Sequence, residues 1–516
     1  MFLTVCVLML TGFPVAFTLA GTALAFAAIG DMMGVFELRQ LNFFPQRMFG
    51  VMSNEVVVAA PLFIYMGLML ERSRVAEDLL SSMARLFRGA RGGLAFSVIL
   101  VGMLMAASTG IVGATVVTMG LLALPVMLKY GYDARLSTGT ICAAGTLGQV
   151  IPPSIVLVFL GDILTYANQQ ANLKAGNFAG KSVGVGDLFA GSLIPGLMLV
   201  GLYLAYVFFV SRVQPERCPP AVVDEAHERL SPQERTRLIL HALVAPSALI
   251  VAVLGSILGG IATPTEAAGV GAVGATLLAG LRARPDLAPI MLAGVAAAIG
   301  LMIMNGFFDL RFFREEVSVL DQAAMWLSFA LIALVALAIA LAFWIAFRGS
   351  VLTPVVFRTA RITAMVFAIL IGASLFSLTF RGLGGEEMVH GLLEGLPGGL
   401  TGAMIFVMAL MFVMGFFLDF LEIIFILVPI VGPALILMGA DPVWLGVMIA
   451  VNLQTSFLTP PFGFALFFLR GVAPDTVRTQ AMYRGVAPFI GLQLLALSLL
   501  ALFPQLGTWL PSYLFS

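Results

Sequence analysis

The sequence predicts an all-α polytopic membrane protein: an inverted repeat with two re-entrant hairpins and two helices broken at Pro-Pro. Three observations carry this. Hydrophobic residues make up 60% of the chain and charged residues 10%, with a mean hydropathy of +1.06, whereas globular chains carry roughly 25% charged residues. Apolar stretches long enough to cross a bilayer, about 20 residues each, recur along almost the whole length. Two dipeptides, Pro152-Pro153 and Pro460-Pro461, each interrupt such a stretch. Proline removes a backbone donor and clashes with the preceding turn, so a tandem pair breaks a helix. The formal net charge is +0, which gives no argument for a nucleic-acid partner. Cys6, Cys142 and Cys218 are far apart and indicate neither a disulfide framework nor a metal cluster.

Spans are expected at about 2–30, 50–70, 137–167, 188–211, 238–260, 264–282, 287–308, 319–347, 362–380, 441–469 and 485–510. The first could be mistaken for a cleaved leader, but it lacks a basic start and is too long, so a retained helix is expected. Segments 93–129 and 400–437 are apolar with interrupted centres, at Ser108-Thr109-Gly110 and at Gly415 to Glu422. Both read as re-entrant hairpins. Basic residues cluster in 71–91 (Arg72, Arg74, Arg85, Arg88, Arg91), 212–237, 348–361 and 470–484. With each hairpin returning to its own side, all four fall on one face, which the positive-inside bias assigns to the cytoplasm. The N-terminus is then inside and the C-terminus outside. Segment 71–91 alternates charge with Leu79, Leu80, Met83, Leu86 and Phe87, as a helix lying on the membrane surface does. Residues 212–237 form a polar linker between the halves.

A shift of 308 residues superposes the halves. Pro152-Pro153 meets Pro460-Pro461, and Pro125, Gly131 and Asp133 meet Pro433, Gly439 and Asp441. An odd number of crossings lies between them, so they enter from opposite faces. That arrangement places a binding site near the bilayer midplane. Each break frees backbone N–H groups at one half-helix and carbonyls at the other, suited to a carboxylate and to a sodium ion. Candidate ligands in the first half are Ser108, Thr109, Gly110 and Thr115 at the hairpin, and Gly145, Thr146, Gln149, Pro152, Pro153 and Ser154 at the break. The second half offers Asp419 and Glu422 at its hairpin, with Asn452, Gln454, Thr455, Ser456, Thr459, Pro460 and Pro461 at its break. For the hydroxyls the plainer reading is a bond to a carbonyl one turn back. For Gly145 and Gly148 it is close helix packing. Carboxylates at membrane depth are costly and point to function, with an ion pair or a helix cap as the alternative for Asp419 and Glu422. Asp133 and Asp441 are expected to be N-caps.

These residues resemble the large, DctM-like membrane subunit of tripartite ATP-independent periplasmic (TRAP) transporters. The resemblance rests on Leu128-Lys129-Tyr130-Gly131-Tyr132-Asp133, on Gly145 to Ser154, on Thr263-Pro264-Thr265-Glu266-Ala267-Ala268, on Gly415 to Asp419 and on Leu458 to Gly463. It implies a sodium-coupled importer of organic acids in the bacterial inner membrane, with sodium as coupling ion and no cofactor. It also implies two protein partners, a small four-helix membrane subunit and a soluble periplasmic substrate-binding protein, and an elevator motion. On that reading 1–92 is scaffold plus arm, 93–187 transport half 1, 188–399 scaffold, 400–475 transport half 2 and 476–516 an arm with the C-terminal helix. The sequence departs from the family at Ser108 to Thr115, which lacks an acidic residue. It also carries two extra spans within about 283–350, expected on the scaffold periphery.

Other readings compete. A stand-alone sodium/dicarboxylate carrier would have similar hairpins and work without a binding protein. An intramembrane enzyme would need convergent catalytic groups, and a passive channel would need no sodium. Gly180-Lys181-Ser182 mimics a P-loop end, but position 175 is alanine and no strand precedes it. Non-enzymatic transport is the reading carried forward.

Overall fold

The structure, a computed structural model, describes all residues except 74, 88, 179, 181, 221–231, 311–317 and 516; side chains at 75, 76, 85, 108, 109, 232–243 and 319 are likewise outside the described set. Much of the expected linker, and the side chains of Ser108 and Thr109, therefore lie outside the described residues. Among the described residues the regular structure is helical.

In chain order the α-helices are α1 (Phe2–Leu10), α2 (Val15–Met32), α3 (Phe44–Met52), α4 (Glu55–Arg72), α5 (Val75–Leu86), α6 (Gly93–Thr109), α7 (Val112–Lys129), α8 (Ala134–Thr146) and α9 (Ile155–Lys174). There follow α10 (Val185–Val213), α11 (Pro232–Leu258), α12 (Pro264–Ala283), α13 (Ala288–Phe307), α14 (Val319–Arg348), α15 (Leu352–Gly382) and α16 (Gly385–Glu394). The last are α17 (Leu400–Met414), α18 (Phe420–Ile426), α19 (Val428–Leu437), α20 (Pro442–Leu458), α21 (Phe464–Val472), α22 (Thr479–Leu502) and α23 (Gln505–Leu514). Among the described residues seven helices are individually long and apolar enough to cross a membrane, and nine if each of two bent pairs counts as one span. Several expected crossings are instead shared between short pieces, at the two Pro-Pro breaks and at other prolines.

Proline and glycine account for most departures from the expected spans. The span expected over 2–30 is two helices, because Pro14 lacks the donor that would continue α1 and Gly12 turns the chain with φ +87°. Pro504 likewise divides the span expected over 485–510 into α22 and α23. Pro429 cannot donate back into α18, and α18 and α19 meet at 54°. In the other direction, α15 begins at Leu352 rather than near 362. Of the arginines that marked 348–361 as a loop, Arg348 ends α14 while Arg358 and Arg361 lie on α15, where Arg358 pairs with Glu71 at 3.8 Å.

The 308-residue register is legible in the backbone. Shifted by that amount, α7 covers 420–437, the span of α18 and α19, and α8 starts where α20 starts. The turn between them is built twice. Gly131 N–H donates to Leu128 O and Tyr132 N–H to Met127 O, and Gly439 N–H donates to Ile436 O and Ala440 N–H to Leu435 O, all at 2.9–3.0 Å. Both glycines have positive φ, +79° and +102°, as a left-handed helix end requires. Asp133 and Asp441 then cap the next helix, accepting from Arg135 N–H at 2.7 Å and Trp444 N–H at 2.9 Å. The repeat extends further upstream than the sequence landmarks do. Amphipathic α5 shifts onto 383–394, which is α16, a helix not expected from the sequence, and α4 shifts into α15.

Packing divides into two regions joined by one continuous core. In one, α2, α4, α12 and α15 pack side by side, with α13 and α14 stacked on α12 around Leu277, Met291, Ala338, Ala342 and Ile345. In the other, α8 lies against α6, α7 and α22, α9 against α19 and α10, and α20 against α10, α17 and α22. The turn after α10 clamps the base of α8: Arg217 O accepts from Asp133 N–H at 2.9 Å and its guanidinium pairs with Asp133 at 3.6 Å. Tyr132, between α7 and α8, accepts from Leu94 N–H at 3.2 Å, and burial pushes its phenol up to about 12.

Helices α8 and α22 approach closely because each has a glycine at the crossing. A Cβ on Gly139 would collide with Gly485 O, and one on Gly485 with Arg135 O, the small-residue packing expected where lipid supplies no hydrophobic drive. Gly139→Ala and Gly485→Ala are each expected to cost about 1–3 kcal/mol, read as a lowered unfolding midpoint in detergent. Midpoints equal to wild type would mean that the helices part without penalty.

Candidate functional site

Each break is faced by the tip of its own hairpin. In the first half, α8 tightens into a 3₁₀ turn at Leu147–Gln149 and the chain runs through Pro152-Pro153 before α9 starts. In the second, α20 ends at Leu458 and α21 starts after Gly463. Both Pro–Pro peptide bonds are cis. Gly110 turns the first hairpin with φ +59°, and a Cβ there would lie 3.0 Å from Ile155 N, the first amide of α9. Gly415 at the second hairpin abuts the hydroxyl of Ser456 in α20, with no room for a side chain. Phe417 and Phe462 bring their rings together across the same gap, 5.1 Å between centroids and tilted by 51°.

The two breaks meet. Gln454 Nε2 donates to Thr146 Oγ1 at 3.2 Å, and these residues are 308 positions apart, register-equivalent in the two halves. Residues related by the repeat touch each other only where the two-fold relation between halves has its axis. Around that contact, Gln454 Nε2 reaches Tyr203 OH at 3.3 Å, and Gln493 Nε2 donates to Tyr203 OH at 2.8 Å and to Thr146 Oγ1 at 3.4 Å. Thr146, Tyr203, Gln454 and Gln493 are all fully buried. Among the described residues Gln149, one turn beyond Thr146 and also fully buried, finds no protein partner for either its amide nitrogen or its oxygen, and the amide oxygens of Gln454 and Gln493 have none either. Buried polar atoms are rarely left so. The site therefore offers donors and acceptors that the fold itself leaves unused.

The candidate hydroxyls behave as the plainer reading anticipates. Thr115 donates to Ile111 O, Thr146 to Ala143 O, Thr455 to Val451 O, Ser456 to Leu453 O and Thr459 to Thr455 O, at 2.8–3.3 Å. Ser154 heads α9 but turns back to donate to Gln149 O at 3.1 Å, leaving the first amides of α9 without a side-chain cap. A hydroxyl whose proton is committed to a carbonyl still presents oxygen lone pairs, the atoms that a hard cation takes. Asn452 spends its amide nitrogen on Met408 O of α17 at 2.8 Å, tying the second break to its hairpin. Gly145 serves packing: a Cβ there would collide with Val116.

Asp419 and Glu422 occupy the cap position. Asp419 Oδ1 accepts from Phe420 N–H at 2.8 Å, and the Glu422 carboxylate accepts from Asp419 N–H at 3.1 Å, a capping box heading α18. The same device heads α12, where Glu266 accepts from Thr263 N–H at 2.8 Å, so the Thr263 to Ala268 motif is a helix start.

Sequence reading missed Tyr203 and Gln493. Each lies in an apolar stretch of a long helix that carries other polar residues too, outside the Pro-Pro neighbourhoods, so the sequence gives it no distinct signal. Their helices, α10 and α22, bring them to the breaks.

The chain matches over residues 2–506 the profile of the tripartite ATP-independent periplasmic transporter, DctM component. It is 26% identical over 514 residues to the C4-dicarboxylate TRAP transporter large permease protein DctM of Vibrio cholerae, covering 100% of this chain and 97% of that one. The ectoine/5-hydroxyectoine TRAP transporter large permease protein UehC of Ruegeria pomeroyi is 27% identical over 519 residues (100% and 99%). The sialic acid TRAP transporter large permease protein SiaM of Vibrio cholerae is 24% identical over 506 residues (98% and 96%). In fold the chain is similar to the crystal structure of the YdaH transporter of Alcanivorax borkumensis, with a TM-score of 0.55 at 17% identity over 98% of this chain and 99% of that one. With its helices, its repeated turns and its profile match spanning nearly the whole length, this chain belongs to the DctM component family of tripartite ATP-independent periplasmic transporters.

Proposed function

We propose that this permease imports a small organic acid across the bacterial inner membrane by sodium symport, together with a small four-helix membrane subunit and a periplasmic substrate-binding protein. One observation supports the reading above the others: the meeting of the two breaks at Thr146 and Gln454, beside a buried Gln149 with neither polar atom paired. Hydroxyl and carbonyl oxygens at the breaks suit sodium, and the uncapped amides of α9 suit a carboxylate. The relatives support the class of cargo, since their names specify C4-dicarboxylate, ectoine and sialic acid. Each sodium ion crossing a potential of 100 mV supplies roughly 2.3 kcal/mol.

The moving body in this reading is larger than the stretches 93–187 and 400–475. It includes α10 and α22, because Tyr203 and Gln493 are hydrogen-bonded into the crossing. Helices α2, α4, α12 and α15, with α13 and α14 at their edge, form the frame. The N-terminus is cytoplasmic and the C-terminus periplasmic, from the arginine bias.

Proteoliposomes carrying both membrane subunits, supplied with the binding protein and a panel of labelled carboxylates, test the reading. Uptake is expected only with an inward sodium gradient and with the binding protein present. Uptake that survives omission of the binding protein would favour a stand-alone carrier; uptake indifferent to sodium would remove symport. Within that assay, Gln149→Leu is expected to raise the half-activating sodium concentration about tenfold or more, given roughly 1.5–3 kcal/mol for a hydrogen bond to a charged group. The pair Asn452→Ala and Thr455→Ala, with sodium dependence unchanged, would take the second break out of the ion site. Tyr203→Phe strips an acceptor from two buried amides and is expected to cost about 1–3 kcal/mol of stability. An unaltered unfolding midpoint with unaltered uptake would show that the crossing does not need the hydroxyl.

A further inference from the structure

A cavity of about 480 Å³ opens between the two packing regions, away from the crossing of the breaks. One wall comes from α3, the start of α4 and α15, and the other from α9, α18 and α19. At 1.5 Å per residue, Asp162 and Tyr166 sit about 10 and 16 Å along α9 from its start at the first break. The floor is apolar, with Leu370, Ala373, Phe425 and Pro429. The polar lining includes Arg47, Asn54, Asp162, Tyr166, Ser374 and Ser377.

The charges in and around this cavity are unevenly committed. Asp162 accepts a hydrogen bond from Asn54 Nδ2 at 2.8 Å, the side chain that also caps α4 through Val56 N–H. Glu386, nearby on α16, is shared by Arg381 and by Lys174, the latter at 3.1 Å. Arg381 also reaches Tyr166, its guanidinium 5.7 Å from the ring centroid. Arg47 is different. It lines the cavity and interacts with Glu386 and Arg381 at longer range, yet among the described residues it forms no ion pair and donates no hydrogen bond. A half-buried guanidinium with an open fork, set over an apolar floor with the Ser374 and Ser377 hydroxyls on its own wall and that of Tyr166 opposite, is built to receive an acid group.

We propose that this cavity is a second anion site, in which Arg47 receives the acid group of the transported solute before or after it occupies the crossing of the breaks. The identity of the ligand rests on the reading of the chain as an organic-acid permease; the site itself rests on the cavity and Arg47. Because the two walls belong to the frame and to the moving body, an occupant would touch both. The Asn54–Asp162 bond also joins those walls.

The test is protection of a cysteine. Ser377→Cys is introduced into the full complex with Cys6→Ala; Cys142 and Cys218 are fully buried. Its rate of modification by an anionic methanethiosulfonate is measured with and without succinate, isethionate or sialic acid, and a neutral maleimide reports whether the thiol is reachable at all. An acid from the panel is expected to slow modification several-fold. Arg47→Gln is expected to raise the half-protecting concentration about tenfold or more, with Arg47→Lys in between. Modification indifferent to every acid, or protection unchanged by Arg47→Gln, would overturn the site. Protection by phosphatidylglycerol vesicles and by none of the acids would assign the cavity to a lipid headgroup and overturn it as well. The assay needs no gradient, so it separates the two claims. Protection without sodium-driven uptake supports the site and sinks the function proposed above; uptake without protection does the opposite.

Discussion

Unsatisfied backbone in a medium without water is the constraint on which this fold depends. A helix broken in hydrocarbon exposes amides and carbonyls that cost several kcal/mol each, and this chain breaks two. It tolerates them by burying the first break within protein and by setting the second, where Pro461 and Phe462 stay exposed, against its hairpin. The hairpin tips at Gly110 and Gly415 come close enough to exclude side chains, α10 and α22 cover the crossing, and Thr146, Tyr203, Gln454 and Gln493 bind its centre. What remains unpaired after that enclosure, above all Gln149, is then available to an ion or a solute.

The halves solve the same problem with different residues. Their turns share the same backbone hydrogen bonds at Gly131 and Gly439, and each is followed by an aspartate cap, Asp133 on Arg135 N–H and Asp441 on Trp444 N–H. Their hairpins are not. The first turns on one left-handed glycine, and its second arm is the single helix α7. The second spends a capping box, Asp419 with Glu422, on a short helix that bends again at Pro429. Carboxylates committed to a helix start are held in place for structural reasons, so whatever they contribute to coupling is a property of a rigid hairpin tip.

Much of this was legible in the sequence because it is written in proline, glycine and aspartate. The Pro-Pro pairs marked both breaks, the Gly-x-Asp motifs marked both caps, and the spacing of landmarks gave the register in which Thr146 and Gln454 meet. Legibility failed where tertiary packing decides. Arg358 looked like a loop residue and is helical, held by Glu71. Helix α16 was hidden because its run is short and polar, although shifting α5 by the repeat length lands on it. Tyr203 and Gln493 could not be ranked above other lone polar residues, since their role depends on which helices lie against the breaks.

The direct bond between Thr146 and Gln454 bears on how such a chain arises. If the halves descend from one gene whose product once paired with an inverted copy of itself, the residue on the dyad faced its own twin. Any residue there had to be self-complementary, as threonine and glutamine each are. Fusion into one polypeptide lifts that restriction, and the site now holds an unlike pair. The dyad is thus the place where a fused protein can first do what its homodimeric ancestor could not: present two different chemistries, a hydroxyl and an amide, at a single point of symmetry.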